Sequence, residues 1–340
     1  MSVRIFICLA CLGFVTACGD GQPLFDDGTT DDGTTGELPR TVDLPPGTEN
    51  PSRSRGIERY EARNDLGGGL ITNDQVAYNE AEDTFTVDNL AFDGENVYSR
   101  DNRVPTLRGF NVYEADVQAI DPISGDPVGQ IVPYRALVGE STAAVDGQAR
   151  SSFAIVRTGG YVDYGFGGFV YGRNGSVVLP TSGQATFSGD YAGVRVFSGQ
   201  GGLEYTTGDM TIDIDFDDFN ANDGVKGTIT NREAFTVNGT TIQTGGTDQL
   251  QLPTLTFTVV EGATTLDSNG ELSGNLSSSY VDANGNRQPY ESGTYYGIIA
   301  GDMTDPADGG EIVGVIVIES KDPRYSAVTA QETGGFILYR

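Results

Sequence analysis

The stretch "TIDIDFDD", residues 211–218, is the closest this chain comes to a catalytic constellation. Asp213 and Asp215 share one face if the segment is a strand, and two carboxylates in unlike environments can divide acid and base work between them. The intervening residues argue against that use. Met210, Ile212, Ile214 and Phe216 make the other face apolar. The acids therefore fall on the solvent face, where no burial shifts a pKa. Just beyond, Asp218, Asn220 and Asn222 hold the first, third and fifth positions of a calcium-loop pattern. The glycine comes one place late, at Gly224, and Ile229 stands where a bidentate glutamate belongs. The segment reads first as a hairpin turn and only second as a Ca²⁺ loop. The chain has no histidine, and its three cysteines, Cys8, Cys11 and Cys18, all lie in the first eighteen residues. The usual general bases and thiol nucleophiles are thus missing from the remainder. No catalytic residue, metal site or cofactor is assigned, and the chain is read as not an enzyme.

The placing of those cysteines speaks instead to location. Arg4 precedes an apolar run from Ile5 to Val15, interrupted only by Gly13. Eleven residues are too few for a transmembrane helix, which needs about 20. The run is a secretory h-region. Val15-Thr16-Ala17-Cys18 resembles the lipobox of bacterial lipoproteins. The resemblance implies cleavage between Ala17 and Cys18 and acylation of the Cys18 thiol. Each buried CH₂ contributes about 0.8 kcal/mol, so two or three acyl chains give lasting attachment where one would not. Cys8 and Cys11 would leave with residues 1–17, and the exported chain would have no disulfide in an oxidising compartment. Its fold has to stand on its core.

Charge narrows the partners. Forty-eight acidic and 20 basic residues give a net charge of −28, which repels nucleic acid and anionic lipid alike. Residues 18–55 carry no apolar period. They contain the direct duplication "DDGTTDDGTT" and the Pro-rich "LPPGTENPSRSRG". This is the composition of a disordered acidic tether, with a root-mean-square reach of roughly 30–35 Å.

The elements that follow are strands. Glycine is abundant, 48 of 340, beside 16 Tyr and 16 Phe and no Trp; such a mixture suits strands joined by tight turns. Within 56–175, "GIERYEAR", "QVAYN", "TFTV", "NVYSR", the longer "LRGFNVYEADVQAI" (107–120), "YRALVG" and "SSFAIVRTGGYVDYGFGGFVYGR" read as strands of a smaller β-rich domain, with turn chemistry at "IDPISGDPVG" (120–129). From 183 to 340 eight segments begin at 183, 209, 224, 252, 270, 292, 311 and 334. One of them, "LPTLTFTVV", sets Leu255, Phe257 and Val259 against Thr254, Thr256 and Thr258. Eight strands in meander order close into a small barrel, whose interior side chains fill or which holds one small ligand. An apolar strand ending the chain is safest when paired on both sides.

"GQATFSG", "MTIDIDF", "GVKGTITN", "YYGIIAG" and "IVGVIVI" resemble the barrel of transferrin-binding protein B lobes, a barrel shared with Slam-dependent surface lipoproteins and bacterial haem-scavenging proteins. The resemblance covers about 183–340. It implies that 56–175 is the family's handle domain, and that the chain is a lipid-anchored outer-membrane lipoprotein, surface-exposed or on the periplasmic face. In that role it binds a protein or small solute, for example in iron-related nutrient uptake. This chain has length for one lobe where the family has two, and none of the family's binding loops can be matched to it. No ligand-binding residue is therefore carried over. Haem is disfavoured because histidine is absent, with ligation by tyrosine left open. The rival reading is a structural or shielding surface lipoprotein without a stoichiometric ligand.

Overall fold

The computed structural model of the chain describes residues 39–88, 90, 97–121, 123–217, 224–245 and 248–340. Ala17, Cys18, the duplicated acidic segment and the calcium-like Asp218, Asn220 and Asn222 lie outside the described residues.

The handle sheet is built early in the chain. Its strands begin with β1 (Ile57–Tyr60), β2 (Val76–Asn79), β3 (Thr84–Val87), β4 (Val97–Arg100), β5 (Thr106–Leu107) and β6 (Phe110–Ala115). A separate hairpin follows, β7 (Gln118–Ile120) and β8 (Pro127–Gly129). Then come β9 (Arg135–Glu140), the small pair β10 (Ala144–Val145) and β11 (Gln148–Ala149), β12 (Ser151–Arg157) and β13 (Gly167–Arg173). The sheet order is β1-β13-β12-β9-β6-β4-β3-β2, with β5 on β6, and it curls into a half-barrel. A short β14 (Val177–Val178) leads to the second sheet. Its eight strands are β15 (Gln184–Ser198), β16 (Leu203–Asp215), β17 (Val225–Thr236), β18 (Leu255–Phe257), β19 (Glu271–Val281), β20 (Arg287–Asp302), β21 (Glu311–Lys321) and β22 (Thr329–Tyr339). Each pairs antiparallel with the next, and β22 returns to β15. The all-β expectation of an eight-stranded antiparallel barrel preceded by a smaller handle is met.

The barrel interior accounts for the glycine and aromatic content. Eight strands leave an interior just wide enough for side chains, and here large rings lie over glycines. A Cβ on Gly227, Gly274, Gly314 or Gly334 would overlap the ring of Phe257, Tyr295, Phe336 or Tyr191. These rings, with Phe187, Met210, Ile212, Ile214, Leu255 and Leu272, form the core. The inside is filled by side chains.

Half of the barrel's outer wall is apolar too. Ala192, Val194 and Val196 of β15, Val313 and Val315 of β21 and Ile337 of β22 pack against Phe110, Leu137, Phe153 and Ile155 of the handle. At the centre Phe153 lies between Gly139 of its own sheet and Gly335 of the barrel. Charged pairs ring this seam. Arg59 donates two hydrogen bonds to Glu271, at 2.7 and 2.8 Å. Glu311 accepts from Arg150 at 2.9 Å, from Ser141 at 2.7 Å and from Ser151 at 2.6 Å. Arg157 joins Glu61 to Thr333 at 2.7 and 3.1 Å.

Three expectations are corrected. A tether reaching residue 55 is too long, because residues 39–55 lie against both sheets. Arg40 pairs with Asp267 at 2.6 Å, Ser273 donates to the Val42 carbonyl at 2.7 Å, and Thr48 N–H donates to Glu58 O at 2.9 Å. Isolated polar residues find partners there that no local pattern announces. The segment 107–120 is not one strand. Arg108 and Gly109, with φ of 49° and 87°, form the tight turn between β5 and β6, and β7 departs after Asp116. The alternation expected over 252–260 stops at Phe257, leaving Val259 exposed. The last ladder bond is Thr258 N–H to Asn275 O at 2.7 Å.

Candidate functional site

Asp213 and Asp215 stand on the outer wall of β16, as their spacing required. Each carboxylate takes a neighbour's hydrogen bond, from Thr186 Oγ1 and Gln184 Nε2, both at 2.6 Å. They are not brought together in a cleft. Ile229, at the twelfth position of the calcium-like pattern, is buried in the barrel core and offers no oxygen. Among the described residues no group of three acidic, histidine or cysteine side chains is placed to hold a metal ion.

The barrel does contain a buried carboxylate cluster, which the sequence reading missed. Arg232 lies at its centre, donating to Glu291 at 2.7 and 2.9 Å and to Glu332 at 3.1 Å. Tyr191 O–H donates to Glu332 at 2.5 Å, and Ser278 to Glu291 at 2.5 Å. Burial alone would raise Glu332, but the Arg232 and Arg195 charges outweigh it and hold the acid below the usual carboxylate range. Burial likewise works against the Arg232 charge, and Glu291 and Glu332 overcome it. Each carboxylate of the cluster has a guanidinium partner, which makes this end of the barrel a charge-paired polar core. The buried phenols of Tyr171, Tyr191, Tyr205 and Tyr295 are pushed up by desolvation and stay protonated.

The feature without a structural purpose is the β7–β8 hairpin. Val117, Ile120, Ile123, Val128 and Ile131 are all exposed, Ile123 by 96% at the tip. Pairing of Gln118 with Gly129 and Ile120 with Pro127 puts Val117 and Val128 on one face and Ile120 on the other. Both faces are therefore apolar in part, and neither is covered by a described residue. The base is fixed: Gln130 N–H donates to Val117 O at 2.8 Å, and Tyr161 O–H to Gln130 Oε1 at 2.5 Å. Asp121 accepts the N–H groups of Ile123 and Ser124 at 2.7 and 2.9 Å, which shapes the tip and lowers its own pKa. The sequence showed this stretch only as turn chemistry attached to a long strand. Its one available signal was aliphatic residues persisting through a turn.

No protein-family model matches the chain, and no curated protein is similar to it in sequence. Among solved structures it is similar to a double variant of the vaccine antigen transferrin binding protein B from Haemophilus parasuis. Identity is 10% and the TM-score 0.36, over 79% of this chain and 42% of that one. A single variant of the same antigen gives 10% and 0.35, over 76% and 41%. A surface lipoprotein gives 12% and 0.26, over 57% and 78%. The chain spans about two fifths of the length of the transferrin binding protein B structures.

Proposed function

We propose that the chain is a non-enzymatic binding lipoprotein of the outer membrane, anchored through Cys18, whose handle presents the β7–β8 hairpin to a protein partner. The observation that carries this reading is the cluster of five exposed aliphatic side chains on a hairpin with a fixed base. Scattered exposed aliphatics need no explanation, but a concentration of them on one projecting element marks an interaction surface. Asp116, Asp121 and Asp126 accompany them with no cation on the hairpin. The matching partner has an apolar pocket rimmed by lysine or arginine, and nucleic acid is no such partner. Iron-related uptake through an outer-membrane receptor is the narrower form of the same proposal. A purely shielding role gives no reason for the aliphatics.

Photo-crosslinking in intact cells tests it, with a photoreactive residue at position 123, 131 or, as control, 213. The expected result is one discrete adduct from 123 and 131 and none from 213, lost after protease shaving of the cell surface. Equal labelling from all three positions, or none from any, sinks the binding reading. Cys18→Ser is expected to abolish palmitate incorporation and release the chain from the membrane fraction. Palmitate retained in that variant would remove the anchor.

A further inference from the structure

A second feature lies at the seam between handle and barrel, away from the hairpin and independent of its role. A cleft of about 320 Å³ opens between the handle segment 103–108 and strands β16 and β17, at the small end of the usual range for ligand pockets, ~300–1,000 Å³. Its apolar lining is Val104, Leu107 and Phe235. Arg103 and Glu233 also line it. Both are exposed to solvent, and among the described residues neither forms an ion pair or a side-chain hydrogen bond, so both are free to meet a ligand. Glu114, whose carboxylate feels Arg103 across space, is itself held by Arg135 at 2.8 Å. Arg108, the other guanidinium in the lining, is occupied by Asp209 and Asp190 at 2.9 and 3.3 Å. Thr207 also lines the cleft. It is 3% exposed, and its hydroxyl has no hydrogen-bond partner. A buried hydroxyl without a partner is costly; Thr206 beside it is in the same state, but of the two only Thr207 lines the cleft. Thr207 pairs with Glu233 where the β16–β17 register shifts, between Thr207 and Asp209. Bulges of this kind recur beside binding sites, where they re-aim a side chain.

We propose that this cleft binds a free α-amino acid with an apolar side chain. A carboxylate would meet Arg103 and the Thr207 hydroxyl, an ammonium would meet Glu233, and the apolar side chain would cover Phe235 and Leu107. A simple anion would face Glu233 and a chain of charge −28, and a simple cation would leave Arg103 unmatched. A zwitterion matches both charges and adds nothing to the net charge of the chain. Charge-assisted hydrogen bonds of this kind are the strong ones.

The test is NMR titration of the ¹⁵N-labelled full chain with leucine and with phenylalanine, then with N-acetyl-leucine and leucinamide, each of which lacks one of the two charges. Saturable shifts at Thr207 and Glu233 with a free amino acid, and none with the capped compounds, are expected. Arg103→Gln and Glu233→Gln each weaken binding at least about tenfold, with circular dichroism confirming that both fold. Thr207→Val also weakens binding while leaving the melting temperature level or higher, an outcome a merely structural hydroxyl would not give. The proposal is overturned by an unshifted seam with both amino acids. Capped compounds binding as well as leucine, or affinities untouched by R103Q and E233Q, overturn it equally.

Discussion

Arg232 shows what a single side chain does when its surroundings are dry. It has no water to solvate it, and two carboxylates face it. Removing one partner of such a set strands the others, which costs about 3–5 kcal/mol. Arg232→Met is accordingly expected to lower unfolding free energy by that amount in a urea titration, and a change below 1 kcal/mol would show that water reaches the cluster. Acid acts on the same residues. Glu332 and Asp322 have folded pKa values below the ordinary ones, for both because arginine charge and hydrogen bonds outweigh burial. The unfolded chain then binds more protons, so stability rises with pH through this range. The contribution is complete above the unfolded values, about 4, and is lost as pH falls through the depressed folded values. Glu332→Gln should therefore flatten the acid limb of a stability–pH curve while lowering its plateau. An acid limb of unchanged steepness would exclude Glu332 as its source.

At the scale of elements, glycine placement decides how close strands and sheets can approach. Gly335 is the point where the handle's Phe153 presses on the barrel, and a Cβ there would overlap the ring. Gly335→Ala is expected to destabilise by about 1–3 kcal/mol, as overpacking does. Combining it with Phe153→Leu should cost less than the two changes summed, because contacting residues couple; strict additivity would place the strain elsewhere. The same residues show how far the sequence could be read. Strands such as 209–216 were legible because Met210, Ile212 and Ile214 alternate with Thr211, Asp213 and Asp215, and one face of the barrel wall meets water there. Further along, β21 reads as an unbroken apolar run, because its outer face is buried under the handle. Periodicity reports one-sided burial and goes silent when both faces are covered. The hairpin hid for the opposite reason: no burial patterns it at all, and its aliphatics looked like more strand. The seam cleft hid because Arg103, Thr207 and Glu233 come together only through the fold.

For the whole molecule, the question is whether handle and barrel are separable. They form one compact unit. The seam buries Ala192, Val194, Val196, Val313, Val315 and Ile337 on the barrel side and Phe110, Leu137, Phe153 and Ile155 on the other. Burying a large aliphatic or aromatic side chain contributes about 1.5–3 kcal/mol. The nine larger ones, Ala192 apart, therefore couple the two sheets by up to about 15–25 kcal/mol, no less than the total stability of a typical domain, about 5–15 kcal/mol. Neither part can then unfold while the other stays native. The buried pairs Arg59–Glu271 and Arg150–Glu311 add specificity of docking more than net energy. A single calorimetric transition is expected for the intact chain, with the van't Hoff and calorimetric enthalpies equal. Barrel residues 183–340 expressed alone should aggregate, since the outer wall of β21 and β22 would become an exposed apolar patch. Two resolved transitions, or a soluble monomeric barrel, would mean that the handle is a replaceable attachment and that a partner could be gripped by its movement. One transition means that hairpin and seam cleft belong to a single cooperative folding unit, so that neither surface can be lost by unfolding of its sheet while the other remains native.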